Sequence, residues 1–300
     1  MQMEIGGVFA ALLTPRRSND DVDVPALQSL VEFLVRRGIS SFVANGATGE
    51  FCLSTPADLQ ILLRTVRKSA GASARLLCGV GGPSLAKVLD LARVASDEGA
   101  EALLVPTPYF FTYEQEDLEA FYESVATHVS LPVILYNLPQ FASGLLPDTA
   151  CRLIRDVPNI VGIKDSSGSL AILQSLTSAN IRCSRVIGND GVLAEGVRRG
   201  LCDGVVSGVA CVLPELVRRV FELSGTGGPI GARAEELLKE FIGVIERFPV
   251  PWGLRWGLEA RGVLKSWSAQ PVSPGRAEGA AEMVAWFHRW HEAVPNQIEG

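Results

Sequence analysis

PVILYNLPQFASGLLPDTACRLIRDVPNIVGIKDSS, residues 132–167, holds two short apolar runs on either side of one amphipathic run. PVILYN (132–137) and IVGIK (160–164) are apolar without alternation. Such runs suit strands covered on both faces, and therefore a parallel sheet. Between them PDTACRLIRDV has helical period, with Pro147 early in the first turn, where its missing N–H costs nothing. Strand, helix and a second parallel strand make one β–α repeat.

The same unit recurs outward in both directions. Further strand-like runs are GVFAALLT (7–14), SFVANG (41–46), ARLLCGV (74–80), ALLVPT (102–107), RVIGN (185–189) and GVVSG (204–208), each followed by a helical period. Gly38, Gly99 and Gly200 each close a helix shortly before a strand, as left-handed caps do. Eight units in succession predict an α/β fold, a closed (β/α)8 TIM barrel, over residues 1–225. The rival, an open doubly wound sheet, is disfavoured because no Gly-rich dinucleotide turn is present. After the Pro/Gly-rich SGTGGPIG the pattern is helical only, so residues 226–300 are expected to form a C-terminal helical appendage packed on the barrel.

Composition narrows the function. Of 300 residues 47% are hydrophobic and 20% charged, and the net charge is −6 with neither sign concentrated. No basic face for nucleic acid and no polybasic membrane anchor is expected. The N-terminal MQMEIGGVFAALLTP has no basic leader, and the six cysteines form no C-x-x-C pair, so a cytoplasmic protein with reduced thiols is expected.

In a TIM barrel the chemistry sits at the C-terminal ends of the strands. None of the three histidines, His128, His288 and His291, falls there, and the strand-end carboxylates Glu50, Asp165 and Asp190 do not argue for a metal cluster. Among five lysines, only Lys164 ends a strand. An ammonium in a dry site is costly, so a lysine there is either paired or neutral, and a neutral amine condenses with carbonyls to a Schiff base. Both readings stand on the residues alone, although Asp165, next along the strand, points to the opposite face and is poorly placed as a partner. Tyr136 sits near the end of the preceding strand, where a phenol can relay a proton or simply pack its ring. The loop NGATGEF (45–51) offers backbone N–H groups and the Thr48 hydroxyl to an anion.

Taken together, AALLTP, GATGEF, PTPYF, LPVILYNLP, GIKDSSG, GND and DGVVSG, in this order and spacing, resemble the pyruvate-dependent class I aldolase family that includes dihydrodipicolinate synthase and N-acetylneuraminate lyase. The resemblance runs from about residue 5 into the C-terminal segment. It implies that Lys164 forms the Schiff base, that Tyr136 relays protons, that Thr48 holds the pyruvate carboxylate, and that Ala47, Gly188 and Val206 line the keto acid. It further implies a covalent imine with no metal or organic cofactor, small-molecule keto acid and aldehyde partners, and a homodimer or homotetramer. Three positions depart from the family pattern. Ala47 and Phe110 stand where relay hydroxyls are usual, and Phe141 stands where the synthases carry an arginine for a second carboxylate. Phe141, with the look of YNLPQFASG, GIKDS and Glu50-Phe51, turns the expectation toward the keto-deoxy sugar-acid and 4-hydroxy-2-oxo-acid aldolases, while Ala47 and Phe110 lend weight to an idle barrel. The alternatives are the synthase itself, a sugar-acid dehydratase using the same imine, and an idle ligand-binding barrel.

Overall fold

The computed structural model describes residues 4–265 and 270–294. The remainder of the 226–300 segment, residues 266–269 and 295–300, and residues 1–3 at the start lie outside the described part. Eight parallel strands close into a barrel in sequence order: β1 (Gly7–Ala11), β2 (Ser41–Ala44), β3 (Arg75–Gly79), β4 (Ala102–Pro106), β5 (Val133–Asn137), β6 (Ile160–Asp165), β7 (Ser184–Ile187) and β8 (Gly204–Ser207). The open-sheet rival is excluded, because β1 pairs with β8 through Gly7–Gly204 to Ala10–Ser207.

A helix follows each strand: α1 (Val24–Arg36), α2 (Pro56–Ala70), α3 (Leu85–Asp97), α4 (Gln115–His128), α5 (Pro147–Asp156), α6 (Ala171–Ser178), α7 (Leu193–Arg198) and α8 (Pro214–Leu223). Their boundaries follow local chemistry. Thr55 and Asp58 form a reciprocal capping box at the start of α2, satisfying two otherwise orphaned N–H groups. Gly38, Gly99 and Gly200 all adopt positive φ just before a strand, a conformation that a Cβ would strain.

The strands separate two apolar layers. Inward-facing Phe9, Val43, Leu77, Leu104, Ile134, Val186 and Val206 fill the barrel, with Tyr136 and Leu138 at its upper end. Outward-facing residues pack against the helices in a larger core. That core also takes in Leu237 and Phe241 of α9 (Pro229–Ile245), Leu258 of α10 (Trp252–Ala260) and Phe287 of α11 (Pro274–Ala293), so the C-terminal helices share the outer layer between strands and helices. Among the described residues no helix is long and apolar enough to cross a membrane.

Candidate active site

Lys164 is the penultimate residue of β6 and is 3% exposed. Parallel register sets it directly beside Tyr136 of β5, and its Nζ lies 3.9 Å from the centroid of the Tyr136 ring. The ion pair with Asp165 is not formed. Asp165 turns away, as strand alternation requires, and accepts from Asn137 Nδ2 at 2.9 Å and from the Ser167 amide at 3.0 Å. Burial raises the Asp165 carboxyl above its ordinary range, and these hydrogen bonds oppose the rise.

Gly188, just past β7, makes room for the lysine. A Cβ there would stand 2.1 Å from Ser166 Oγ and 2.7 Å from Lys164 Cε, so any side chain would displace one of them. The Ser166 hydroxyl is buried and has no hydrogen-bond partner among the described residues. It is a polar group beside the lysine that sequence reading did not single out.

Asp190 was visible as a strand-end carboxylate, yet its setting was not. Burial pushes its carboxyl up to about 6, against the downward pull of the Ser207 hydroxyl, the Val209 amide and the Lys164 charge. One of its oxygens, Oδ1, is buried without a hydrogen-bond partner among the described residues. Asp190, Gly188 and Thr48 line a cavity of about 180 Å³ whose far wall is Glu246, Pro249 and Leu254, close to α9 and α10.

The loop after β2 carries Ala47 and Thr48. The amides of Gly49 and Phe51 donate to the Gly46 carbonyl and that of Glu50 to the Ala47 carbonyl. Among the described residues the amides of Ala47 and Thr48 have no acceptor, which leaves two adjacent donors and a hydroxyl on one turn. Asn45 and Glu50, at either end of this turn, both have positive φ. A left-handed conformation costs a residue with a Cβ about 1–2 kcal/mol. Glu50 is held in it by Arg255 of α10, whose guanidinium donates to the Glu50 carboxylate. Arg255 is 1% exposed, and no local pattern in the sequence announced it.

Ala47 faces a second cavity, of about 280 Å³, walled by Phe51, Tyr109, Leu138 and Phe141. Lys164 lines neither cavity, being buried, but Gly188 packed against it lines the first, and Ala47 and Leu138 of the second belong to the same cluster as Tyr136. Val206, in β8, is buried in that cluster and pairs with Phe9 of β1. Phe110 and Phe111 lie on the surface, 85% and 66% exposed, with rings in edge contact at 4.9 Å. No group of three or more His, Cys, Asp or Glu side chains with metal-holding geometry occurs among the described residues.

A family model described as the dihydrodipicolinate synthetase family matches residues 4–288. The chain is similar to the 4-hydroxy-tetrahydrodipicolinate synthase of Saccharophagus degradans, 30% identical, with 89% of this chain and 92% of that protein covered. The enzyme of the same name from Chlorobium limicola is 31% identical over 90% of this chain and 92% of the relative. Among solved structures, the chloride-inhibited dihydrodipicolinate synthase of Acinetobacter baumannii complexed with pyruvate superposes with a TM-score of 0.86 at 27% identity, covering 94% of this chain and 98% of that one. The fold is shared with N-acetylneuraminate lyase from Mycoplasma synoviae, at a TM-score of 0.82 and 18% identity, over 95% and 97% of the two chains.

Proposed function

This chain belongs to the dihydrodipicolinate synthetase family, whose members are lyases of the class I, pyruvate-dependent aldolase type, and we propose that it makes or breaks the bond between pyruvate and an aldehyde through an imine on Lys164. The observation that carries this reading is a buried strand-end lysine set in register against a tyrosine, with two unpaired amides on the neighbouring Thr48 turn. In the proposed reaction the Lys164 amine attacks the ketone of pyruvate, water leaves, and the adjacent methyl carbon loses a proton, its C–H electron pair moving toward the imine to give an enamine. The enamine adds to the aldehyde carbon, a proton goes to the new alkoxide, and hydrolysis returns the amine. Cleavage runs the same steps backward. Tyr136 serves as the proton relay, and the Ala47 and Thr48 amides with the Thr48 hydroxyl hold the carboxylate before chemistry begins. Gly188 and Val206 form the wall around the keto acid. No metal or organic cofactor enters this scheme.

Ala47 and Phe110 cannot pass protons, so Tyr136 works with water or the substrate hydroxyl. The aldol product of this reaction is a 4-hydroxy-2-oxo acid, the class that includes the keto-deoxy sugar acids. The synthase reading has its support in the names of relatives at 30–31% identity. That activity handles a second carboxylate, for which an arginine fork supplies paired charge-assisted bonds, whereas Phe141 supplies none. The exposed Phe110–Phe111 pair is a candidate contact between copies in a homodimer or homotetramer.

Borohydride reduction in the presence of pyruvate, followed by peptide mass mapping, should place a reduced pyruvyl adduct on Lys164. Recovery of that peptide unmodified would end the imine reading. Product analysis separates the rivals: pyruvate with an aldehyde marks the aldolase, and a deoxy-oxo acid without pyruvate marks a dehydratase. Lys164→Ala should abolish turnover, while an idle binding barrel would have none to lose.

A further inference from the structure

The cavity beside Ala47 has an unusual wall for a site that handles polar metabolites. Phe51 and Tyr109 meet edge to face at 5.7 Å beside Leu138, and Phe141 and Val250, 58% and 61% exposed, form the solvent-facing rim. Its polar groups are already engaged or uncharged. Glu50, the charged residue of the lining, is bonded to buried Arg255, and the Thr107 hydroxyl donates to the Ser143 carbonyl at 2.8 Å. Burial keeps the Cys52 thiol and the Tyr109 phenol on their protonated sides. The lining holds no lysine, arginine or histidine. A carboxylate entering here would meet no cationic partner, and a polyol would give up part of its hydration with few hydrogen bonds to replace it. Ala47, where a larger polar side chain would narrow the space, opens this cavity toward the Thr48 turn, and Leu138 follows Tyr136 by two residues.

We propose that this cavity holds the substituent of the aldehyde partner, and that this substituent is apolar and planar, as in an aryl aldehyde. The inference rests on the Lys164 imine reading and specifies its second substrate. The enamine carbon of bound pyruvate supplies the electron pair for the new bond to the aldehyde carbon, the aldehyde oxygen takes up a proton, and imine hydrolysis releases a 4-aryl-4-hydroxy-2-oxobutanoate. Nothing is oxidised or reduced. The ring stacks among Phe51, Tyr109 and Phe141, with its carbonyl directed toward Lys164.

The test is steady-state turnover of the purified full chain with pyruvate and, in parallel, benzaldehyde, glyceraldehyde and aspartate semialdehyde. A hydrophobic pocket discriminates about 10–200-fold for a single methylene, so kcat/KM for benzaldehyde is expected to exceed the other two by at least about tenfold. Phe141→Arg, a change at an exposed rim position, should cut the ratio of benzaldehyde to aspartate semialdehyde by about tenfold or more. Preference for glyceraldehyde or for the semialdehyde, or a ratio that Phe141→Arg leaves unchanged, overturns the inference. Borohydride labelling in the same preparation separates the two levels. A labelled Lys164 without aryl preference defeats the cavity assignment alone, and an unlabelled Lys164 defeats both.

Discussion

Arg255→Met tests whether a C-terminal helix holds the Thr48 turn. The guanidinium is 1% exposed and bonded to Glu50, whose side chain retains 15% exposure. Removing one member of a buried pair costs about 3–5 kcal/mol, since the other charge is left behind. Water reaches the Glu50 carboxylate in part, so the lower figure of about 3 kcal/mol applies. Unfolding entropy of about 2.1 cal/mol/K per residue over 300 residues is about 0.6 kcal/mol/K. The expected fall in Tm, read by calorimetry, is therefore about 5 °C. A second readout follows from position. Glu50 lies two residues after Thr48 and is held at a φ of 55°, so relaxing it displaces the amides that would hold the carboxylate. The KM for pyruvate should rise more than kcat falls. Adding Glu50→Gln to Arg255→Met removes the stranded charge and should recover much of the lost stability. If the two single changes add to within about 0.5 kcal/mol in a double-mutant cycle, the pair is not coupled and the reasoning fails.

Gly188→Ala introduces a Cβ at 2.7 Å from Lys164 Cε and 2.1 Å from Ser166 Oγ. Displacing a reacting group by about 1 Å can cost about 10²-fold, so kcat with the best aldehyde should fall by that order while circular dichroism stays native; an unchanged kcat would show that the lysine tolerates the shift. Asp190→Asn should stabilise the protein in a pH-dependent way. The folded carboxyl, pushed up to about 6 from an ordinary 3.8, stays protonated where the unfolded chain has already ionised. Stability therefore falls as pH rises from about 4 to about 6, by about 2–3 kcal/mol, and stays lowered above that. Asparagine removes this penalty, so the variant should melt higher at pH 7.5 and converge with the parent near pH 4. A constant difference across that range would show that Asp190 ionisation is not the cause.

Much of the architecture was legible because its causes are local. Runs such as IVGIK and PVILYN are apolar on both faces within a few residues, and PDTACRLIRDV carries its helical period within three turns. Positive-φ glycines at 38, 99 and 200 mark the returns to the barrel, and each acts through its own backbone. With strand order following chain order, the adjacency of Lys164 and Tyr136 also came from counting strands. Even the doubt about a Lys164–Asp165 pair was local, since neighbouring strand residues face opposite ways.

What lay beyond such reading are contacts whose partners are remote in the chain. Arg255 and Glu50 are 205 positions apart, and nothing near either one signals the other. Asp190 was identifiable as a residue, yet its pKa is raised by burial against the opposing pull of Ser207 and Lys164, groups brought together by β6, β7 and β8. The space that Gly188 leaves for the lysine and the apolar cavity among Phe51, Tyr109, Leu138 and Phe141 arise only where several loops converge. Chain-local hydrophobic period and backbone preference are enough to specify a barrel and its strand ends. Desolvation, pairing and cavity shape depend on distances between segments, and those exist only once the barrel has closed.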